Sequence, residues 1–239
     1  GHWPSLFGAW LHFEVSFVVW LLVGALGVLI AEDFGLTASE KGLLVAVPLL
    51  GGALLRIGMG LCTDRFGAKR TGTGLLIGQA LALLWGWLAA TTYGEVLGVG
   101  LLLGVAGASF AVALPLASRA YPPAHQGFAM GVAASGNSGV VLAAFFAPRL
   151  GEMIGWHGVF GVMLIPLGFT ALAFAAVVRA DLGGAGSEER WSTLMGRALR
   201  QPSMYWLSFL YAVTFGGFVG LSSFLPIYLH DQYDLTPVT

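Results

Sequence analysis

The stretch Pro48–Arg70, PLLGGALLRIGMGLCTDRFGAKR, sets one arginine inside an apolar run and closes that run with a charged turn. At a helical rise of about 1.5 Å per residue, the eight positions from Arg56 to Asp64 put the guanidinium roughly 12 Å below that turn, near the middle of a bilayer. A cation at that depth costs about 2.5–3.5 kcal/mol on insertion scales, so intramembrane ionisable residues tend to mark ion or substrate pathways. Arg56 therefore reads either as a site residue or as a structural cation paired with a carboxylate or with backbone carbonyls.

The totals point the same way. Hydrophobic residues make up 57% of the chain and charged residues 10%, whereas about a quarter of a soluble domain is charged. This composition predicts an all-α integral membrane protein. The 36 glycines show no low-complexity period and read as helix-packing material. A net charge of −1 without basic tracts excludes a nucleic-acid partner. The single cysteine, Cys62, and five histidines without metal-ligand spacing leave no metal site and no nucleophile constellation. No cofactor and no enzyme activity are expected.

Windows of about 20 apolar residues predict seven spans, at Leu6–Ile30, Gly42–Thr63, Thr71–Ala90, Val96–Ser118, Gly127–Leu150, Trp156–Val178 and Ser203–Leu229. With the turn after the second span cytoplasmic, Arg65, Lys69, Arg70, Arg119, Arg179, Arg190, Arg197 and Arg200 lie inside, and only Lys41 and Arg149 lie outside. The positive-inside rule then puts the protein in the cytoplasmic (inner) membrane, multi-pass, with its N-terminus cytoplasmic.

Residues 180–202, with Gly-Gly-Ala-Gly and Ser-Glu-Glu-Arg, read as a cytoplasmic linker. Glu188 to Leu199 within it fits either an amphipathic surface helix or a charged loop. Six helices over 1–179, a linker over 180–202 and a further helix over 203–239 match one half of a two-repeat transporter plus the first helix of the other. The chain opens on Gly-His-Trp without an initiating Met and stops at Thr239, so the expectation is a fragment of a longer protein.

The turn holding Gly60, Asp64, Arg65, Gly67, Lys69 and Arg70 resembles the G-x-x-x-D-R-x-G-x-K/R-R signature of the major facilitator superfamily. Its mechanics are readable: Gly60 for close helix approach, Asp64 for hydrogen bonds across the interface between halves, Gly67 to turn the chain, and cations at the headgroups. In the fifth span, Gly131, Ser135 and Gly139 recur every four residues, which predicts one packing face with Asn137 pointing roughly away from it.

The run from Gly131 to Gly139 resembles the nitrate signature of the nitrate/nitrite porter family within that superfamily. Phe13-Glu14-Val-Ser-Phe17 with Trp20, Ala53-Leu-Leu-Arg56, Gly107-Ala-Ser-Phe110-Ala and Tyr211-Ala-Val-Thr-Phe215-Gly look like other segments of the same family. The resemblance implies that the anion is bound by Arg56, that Asn137 with its neighbour Gly136 belongs to the substrate site, and that Phe110, Tyr211 and Phe215 wall it. The family's second arginine, from the eighth helix, has no counterpart within these residues. A planar guanidinium suits a planar anion, and Phe110 and Phe215 could sandwich it; taken without the family, the two rings also fit plain packing.

Glu14 stands where the family carries Asp. It lies about as deep as Arg56, which suggests an ion pair between them. Either Glu14 only neutralises Arg56 while the site is empty, or it also takes a proton when the anion claims the arginine, because exchanging its partner changes its affinity for a proton. The expected function is alternating-access transport of nitrate or nitrite, as proton-coupled uptake or nitrate/nitrite antiport, with nitrate or nitrite, protons and the lipid bilayer as partners and a monomer at full length. A porter for another small anion and a non-transporting membrane sensor are the alternatives.

Overall fold

A computed structural model describes residues 1–182, 193, 196, 197 and 199–236, and among them every regular element is a helix. In chain order these are α1 (Trp3–Ala25), α2 (Gly27–Phe34), α3 (Ala38–Phe66), α4 (Ala68–Leu88), α5 (Tyr93–Gly107), α6 (Phe110–Arg119), α7 (Gln126–Ala134), α8 (Gly139–Val177), α9 (Pro202–Tyr211) and α10 (Gly217–Tyr233). The linker expected at 180–202 and the amphipathic helix expected at 188–199 lie mostly outside the described residues. Ala180–Leu182 forms a short 3₁₀ turn.

Six helical runs are long and apolar enough to cross a membrane, and the fifth, Pro123–Val177, has 55 residues. Such a run would extend about 80 Å if straight, far more than the roughly 30 Å of hydrocarbon. Gly155 resolves this, with a φ of 74° and ψ of 156° inside α8. The chain reverses there. Before it, Gly139 meets Glu14 and Gly151 meets Leu26 and Leu29, so 139–154 runs parallel to α1. After it, Trp156 bonds Asp33 and Val178 meets Gly8, so 156–177 runs back antiparallel. Seven crossings result, in the places expected.

Several helices begin earlier than hydropathy indicates, because polar caps start them. Thr37 and Glu40 form a reciprocal capping box at the start of α3, and Thr92 and Glu95 form another at the start of α5. Each box satisfies backbone N–H groups that would otherwise be orphaned at a helix N-terminus.

A close backbone contact joins α3 to α5. A Cβ on Gly104 would sit 2.6 Å from Gly51 Cα and 2.6 Å from Gly52 N, so the two backbones touch without intervening side chains. α1 is the central helix, buried along most of its length, and it packs against both arms of α8. Two buried polar links fasten it to α4: His12 Nε2 with the Gly72 carbonyl at 3.2 Å, and Gln79 Nε2 donating to Ser16 Oγ at 3.0 Å. Each gives a buried polar atom a partner that lipid could not, while His12 Nδ1 and Gln79 Oε1 have none.

The two ends of the bundle carry opposite charge. His2 N–H donates to the Ala120 carbonyl, Lys69 Nζ to the Val178 carbonyl at 2.7 Å, and Arg119 pairs with Asp64 at 2.9 Å. Arg65, Lys69, Arg70, Arg119 and Arg179 therefore share one end with Asp64. The other end gathers Glu32, Asp33, Glu40, Glu95 and Asp231, with Lys41 paired to Asp231 at 2.7 Å. Gly67, at φ 87°, makes the turn between α3 and α4, as expected. Two expectations for that turn change. Gly60 faces open space, with nothing within 4 Å of a Cβ placed there, and Asp64 pairs within the same six-helix block, because the end of α6 lies beside it.

Gly104→Val is expected to destabilise the protein by about 3 kcal/mol or more, at or above the upper end for overpacking, because the atoms it would displace are backbone. A melting curve of the variant in detergent that overlays wild type would contradict the α3–α5 contact.

Candidate functional site

Arg56 sits on α3 about three turns before the α3–α4 turn at Gly67, half-buried, with its head turned into the bundle. Its Nη2 donates to the Gly107 carbonyl at 3.0 Å and its Nη1 to Tyr211 Oη at 3.3 Å. Three aromatic rings surround it: Phe110 at 5.3 Å, Phe215 at 5.5 Å and Trp20 at 5.9 Å from the guanidinium carbon. Ring faces attract cations, most strongly where water is excluded. Among the described residues no carboxylate pairs with Arg56, and its buried Nε has no partner. The site holds a cation, neutral neighbours and a buried Nε donor without a partner.

Gly107 reaches this cation because the fourth span breaks beside it. α5 ends at Gly107 and α6 begins at Phe110. Across the break the N–H groups of Ala111 and Val112 bond to the carbonyls of Ala108 and Ser109. The Gly107 carbonyl thereby leaves the helical ladder and faces the guanidinium. Trp20 fills the notch behind it. Its indole lies where side chains on Gly52 and Gly107 would have to be, and its Nε1 donates to the Pro48 carbonyl at 2.9 Å.

The seventh span supplies the facing wall. Tyr211 ends α9 and Phe215 lies in the single π turn, Ala212–Gly216, that joins α9 to α10. The two rings stack at 4.8 Å and 13°, and Phe215 also contacts Phe17 at 6.2 Å. Phe110 and Phe215 lie 6.4 Å apart, tilted by 42°. A flat ligand between two rings needs about 7–8 Å, two carbon contact distances. In this conformation the two rings touch each other, and a sandwich between them requires roughly 1 Å of opening.

Asn137 lies on the 3₁₀ turn Ser135–Ser138 that continues α7 into α8. This turn changes which residues pack. A 3₁₀ turn stacks positions three apart, so Gly136 and Gly139 press against α1 while Gly131 faces open space. The expected row of Gly131, Ser135 and Gly139 is thus replaced by Gly136 and Gly139. A Cβ on Gly136 would lie 2.9 Å from Glu14 N, and one on Gly139 would collide with the Glu14 carbonyl oxygen. Asn137 Oδ1 is buried without a partner, and Asn137 and Arg56 are not hydrogen-bonded to each other.

Glu14 is 6% exposed and does not pair with Arg56. Its Oε2 accepts from Ser138 Oγ at 2.7 Å. The ion pair expected from equal depth is absent because Phe13 and Phe110, in edge contact at 5.8 Å, connect the two regions through rings. Depth was legible in the sequence; the angular position that turns Glu14 to the 3₁₀ turn was not. Ser138 and the Gly107 carbonyl are the two site groups that sequence reasoning missed. Small residues before Phe110 hinted at the break, but a freed carbonyl has no side-chain signature.

The family model of the Major Facilitator Superfamily matches residues 9–239. NarK2 of Mycobacterium tuberculosis, named a probable nitrate/nitrite transporter, is 38% identical over 229 residues, covering 94% of this chain and 57% of the relative. A nitrite extrusion protein of Bacillus subtilis is 30% identical over 227 residues, covering 95% and 57%. NarK1 of Thermus thermophilus, named a probable nitrate/nitrite antiporter, is 33% identical over 242 residues, covering 94% and 53%. The chain spans a little over half the length of each.

Gly139→Ala is expected to destabilise the protein by about 1–3 kcal/mol, since its methyl meets backbone oxygen. Gly131→Ala, with nothing near its methyl, is expected to be neutral or to stabilise by about 0.5–1 kcal/mol as a helix substitution. Thermal unfolding of the two variants side by side checks the packing row, and the reverse order would refute it.

Proposed function

The chain belongs to the Major Facilitator Superfamily, and from that premise we propose that it forms the N-terminal side of the substrate path in a nitrate/nitrite transporter working by alternating access. Residues 1–179 are the first six-helix half, 180–202 the cytoplasmic linker and 203–239 the start of the second half. The bundle lies in the cytoplasmic membrane with its cation-rich end, and so its N-terminus, in the cytoplasm. The separation of charge between the two ends supports that orientation.

The observation that carries the reading is the guanidinium of Arg56. It is ringed by aromatic faces and neutral acceptors, and no carboxylate among the described residues cancels it. A cation at this depth is costly, and a small anion offsets that cost by accepting charge-assisted hydrogen bonds. The unused Nε points to an acceptor, and the rings favour a flat one. Nitrate and nitrite are flat. The names carried by the relatives agree with this chemistry.

Asn137 turns its amide N–H₂ to the anion, Gly136 lets its turn sit close against α1, and Tyr211 offers a hydroxyl. Phe110 and Phe215 part slightly as the ligand enters. Glu14 takes up a proton as the anion binds, which makes the cycle a proton-coupled one. The turn containing Gly60, Asp64, Arg65, Gly67, Lys69 and Arg70 works at the cytoplasmic end, where the Asp64–Arg119 pair and the Lys69–Val178 bond hold it to the first half as the halves rock.

In proteoliposomes containing the full-length protein, labelled nitrate is expected to exchange against nitrate and nitrite but not against tetrahedral sulfate. Arg56→Lys is expected to lower uptake about 10–100-fold, the equivalent of one charge-assisted hydrogen bond of about 1.5–3 kcal/mol, because an ammonium cannot reproduce the planar fork. Near-wild-type uptake by the lysine variant, or sulfate exchanging as well as nitrate, refutes the assignment.

A further inference from the structure

One hydroxyl at the edge of the site has two acceptors. Ser138 Oγ lies 2.7 Å from Glu14 Oε2 and 2.8 Å from the Ser135 carbonyl oxygen. A serine hydroxyl carries a single hydrogen. It satisfies one of these oxygens at a time, or shares itself weakly between both. Asn137 lies between Ser135 and Ser138, so the bond to Ser135 closes the turn that carries the amide.

We infer that Ser138 is a positioning residue that reads whether Glu14 holds a proton and passes that state to the turn carrying Asn137. This rests on the nitrate reading of the site.

When Glu14 is a carboxylate it can only accept, so Ser138 turns its hydrogen to Oε2 and the Ser135 carbonyl loses a partner. When a proton from water binds the carboxylate, Glu14 becomes a donor. Its O–H now points at Ser138 Oγ, whose own hydrogen rotates to the Ser135 carbonyl. One O–H bond of the hydronium that brings the proton breaks as the O–H bond on Glu14 forms, and a water molecule is released. The turn closes, and Asn137 is held for the anion. Proton and anion thereby bind cooperatively through a reversal of hydrogen-bond direction.

Glu14 faces two donors at this turn, the Ser138 hydroxyl and the backbone N–H of Gly139, and of the two only the hydroxyl can reverse its direction. From α1 itself, His12 is engaged with Gly72 on α4. From the 3₁₀ turn and α8, Ser138 is the polar side chain bonded to Glu14, and Arg149 and Glu152 lie near the far end of that arm at Gly155. From α3, Arg56 is separated by the rings of Phe13 and Phe110. A purely coulombic response of the anion to the charge on Glu14 would bypass Ser138, and the test separates the two.

The test uses purified full-length protein with two readouts. The first is the infrared carbonyl stretch of the protonated Glu14 carboxyl, identified by its loss in Glu14→Gln, and it needs no nitrate. The band is expected to move in frequency and in midpoint pH in Ser138→Ala, and to return in Ser138→Thr, which keeps the hydroxyl. An unmoved band in Ser138→Ala overturns the inference even if nitrate fails to bind.

The second readout is nitrate affinity against pH. Wild type is expected to gain affinity as pH falls, by roughly five-fold for one neutral hydrogen bond. Ser138→Ala is expected to lose most of that gain and Ser138→Thr to keep it. A full wild-type pH profile in Ser138→Ala overturns the relay while leaving the nitrate reading intact. Absence of nitrate binding at every pH in wild type overturns the nitrate reading and, with it, the link to the anion, while the infrared band still decides the hydrogen-bond switch.

Discussion

A guanidinium held at the depth of lipid without a carboxylate partner among the described residues is the constraint around which the rest is arranged. Each neighbour of Arg56 lowers the cost of that charge without cancelling it. The Gly107 carbonyl and the Tyr211 hydroxyl accept hydrogen bonds, and Trp20, Phe110 and Phe215 present ring faces. A carboxylate in the same place would have neutralised the positive charge. The helix break at Gly107 and the π turn at Ala212–Gly216 are the backbone irregularities that make this solvation possible. Irregular backbone at membrane depth is tolerated only where other groups take up its freed hydrogen bonds, and here the arginine takes up one of them.

Holding the box in register depends on contacts a side chain would prevent. The α3–α5 backbone contact at Gly51 and Gly104 sets how far Arg56 lies from Gly107. Trp20, wedged over Gly52 and Gly107, ties α1 to both helices. On the other face of α1, Gly136 and Gly139 bring the Asn137 turn against Glu14. The central helix thus meets the Arg56 region through an indole and the Asn137 turn through a carboxylate.

Much of the architecture was readable from residue order. Seven apolar windows, the glycine turn at Gly67 and the asymmetry of cations are local or additive properties, and lipid leaves a chain of this composition few options besides helices. The depth of Arg56 was also within reach by counting residues along a helix, whereas its grouping with Tyr211, Phe110 and Phe215 came from the family resemblance. The reading went astray where angle mattered more than depth. Glu14 and Arg56 are at comparable depth, yet aromatic rings stand between them. The four-residue row of Gly131, Ser135 and Gly139 assumed an α-helical period, and the chain tightens to a 3₁₀ turn there.

What the sequence by itself determined, then, is what can be summed along one helix: its length, its depth in the membrane, its end signals and the charge it carries. What only the tertiary structure decided is which groups meet across helices, namely the freed carbonyl of Gly107, the shared hydroxyl of Ser138 and the closed spacing of Phe110 and Phe215. The physical reason is that these meetings depend on rotation about helix axes and on local changes of helical pitch. Both are set by close packing between backbones, and neither leaves a mark in the order of residues on a single helix.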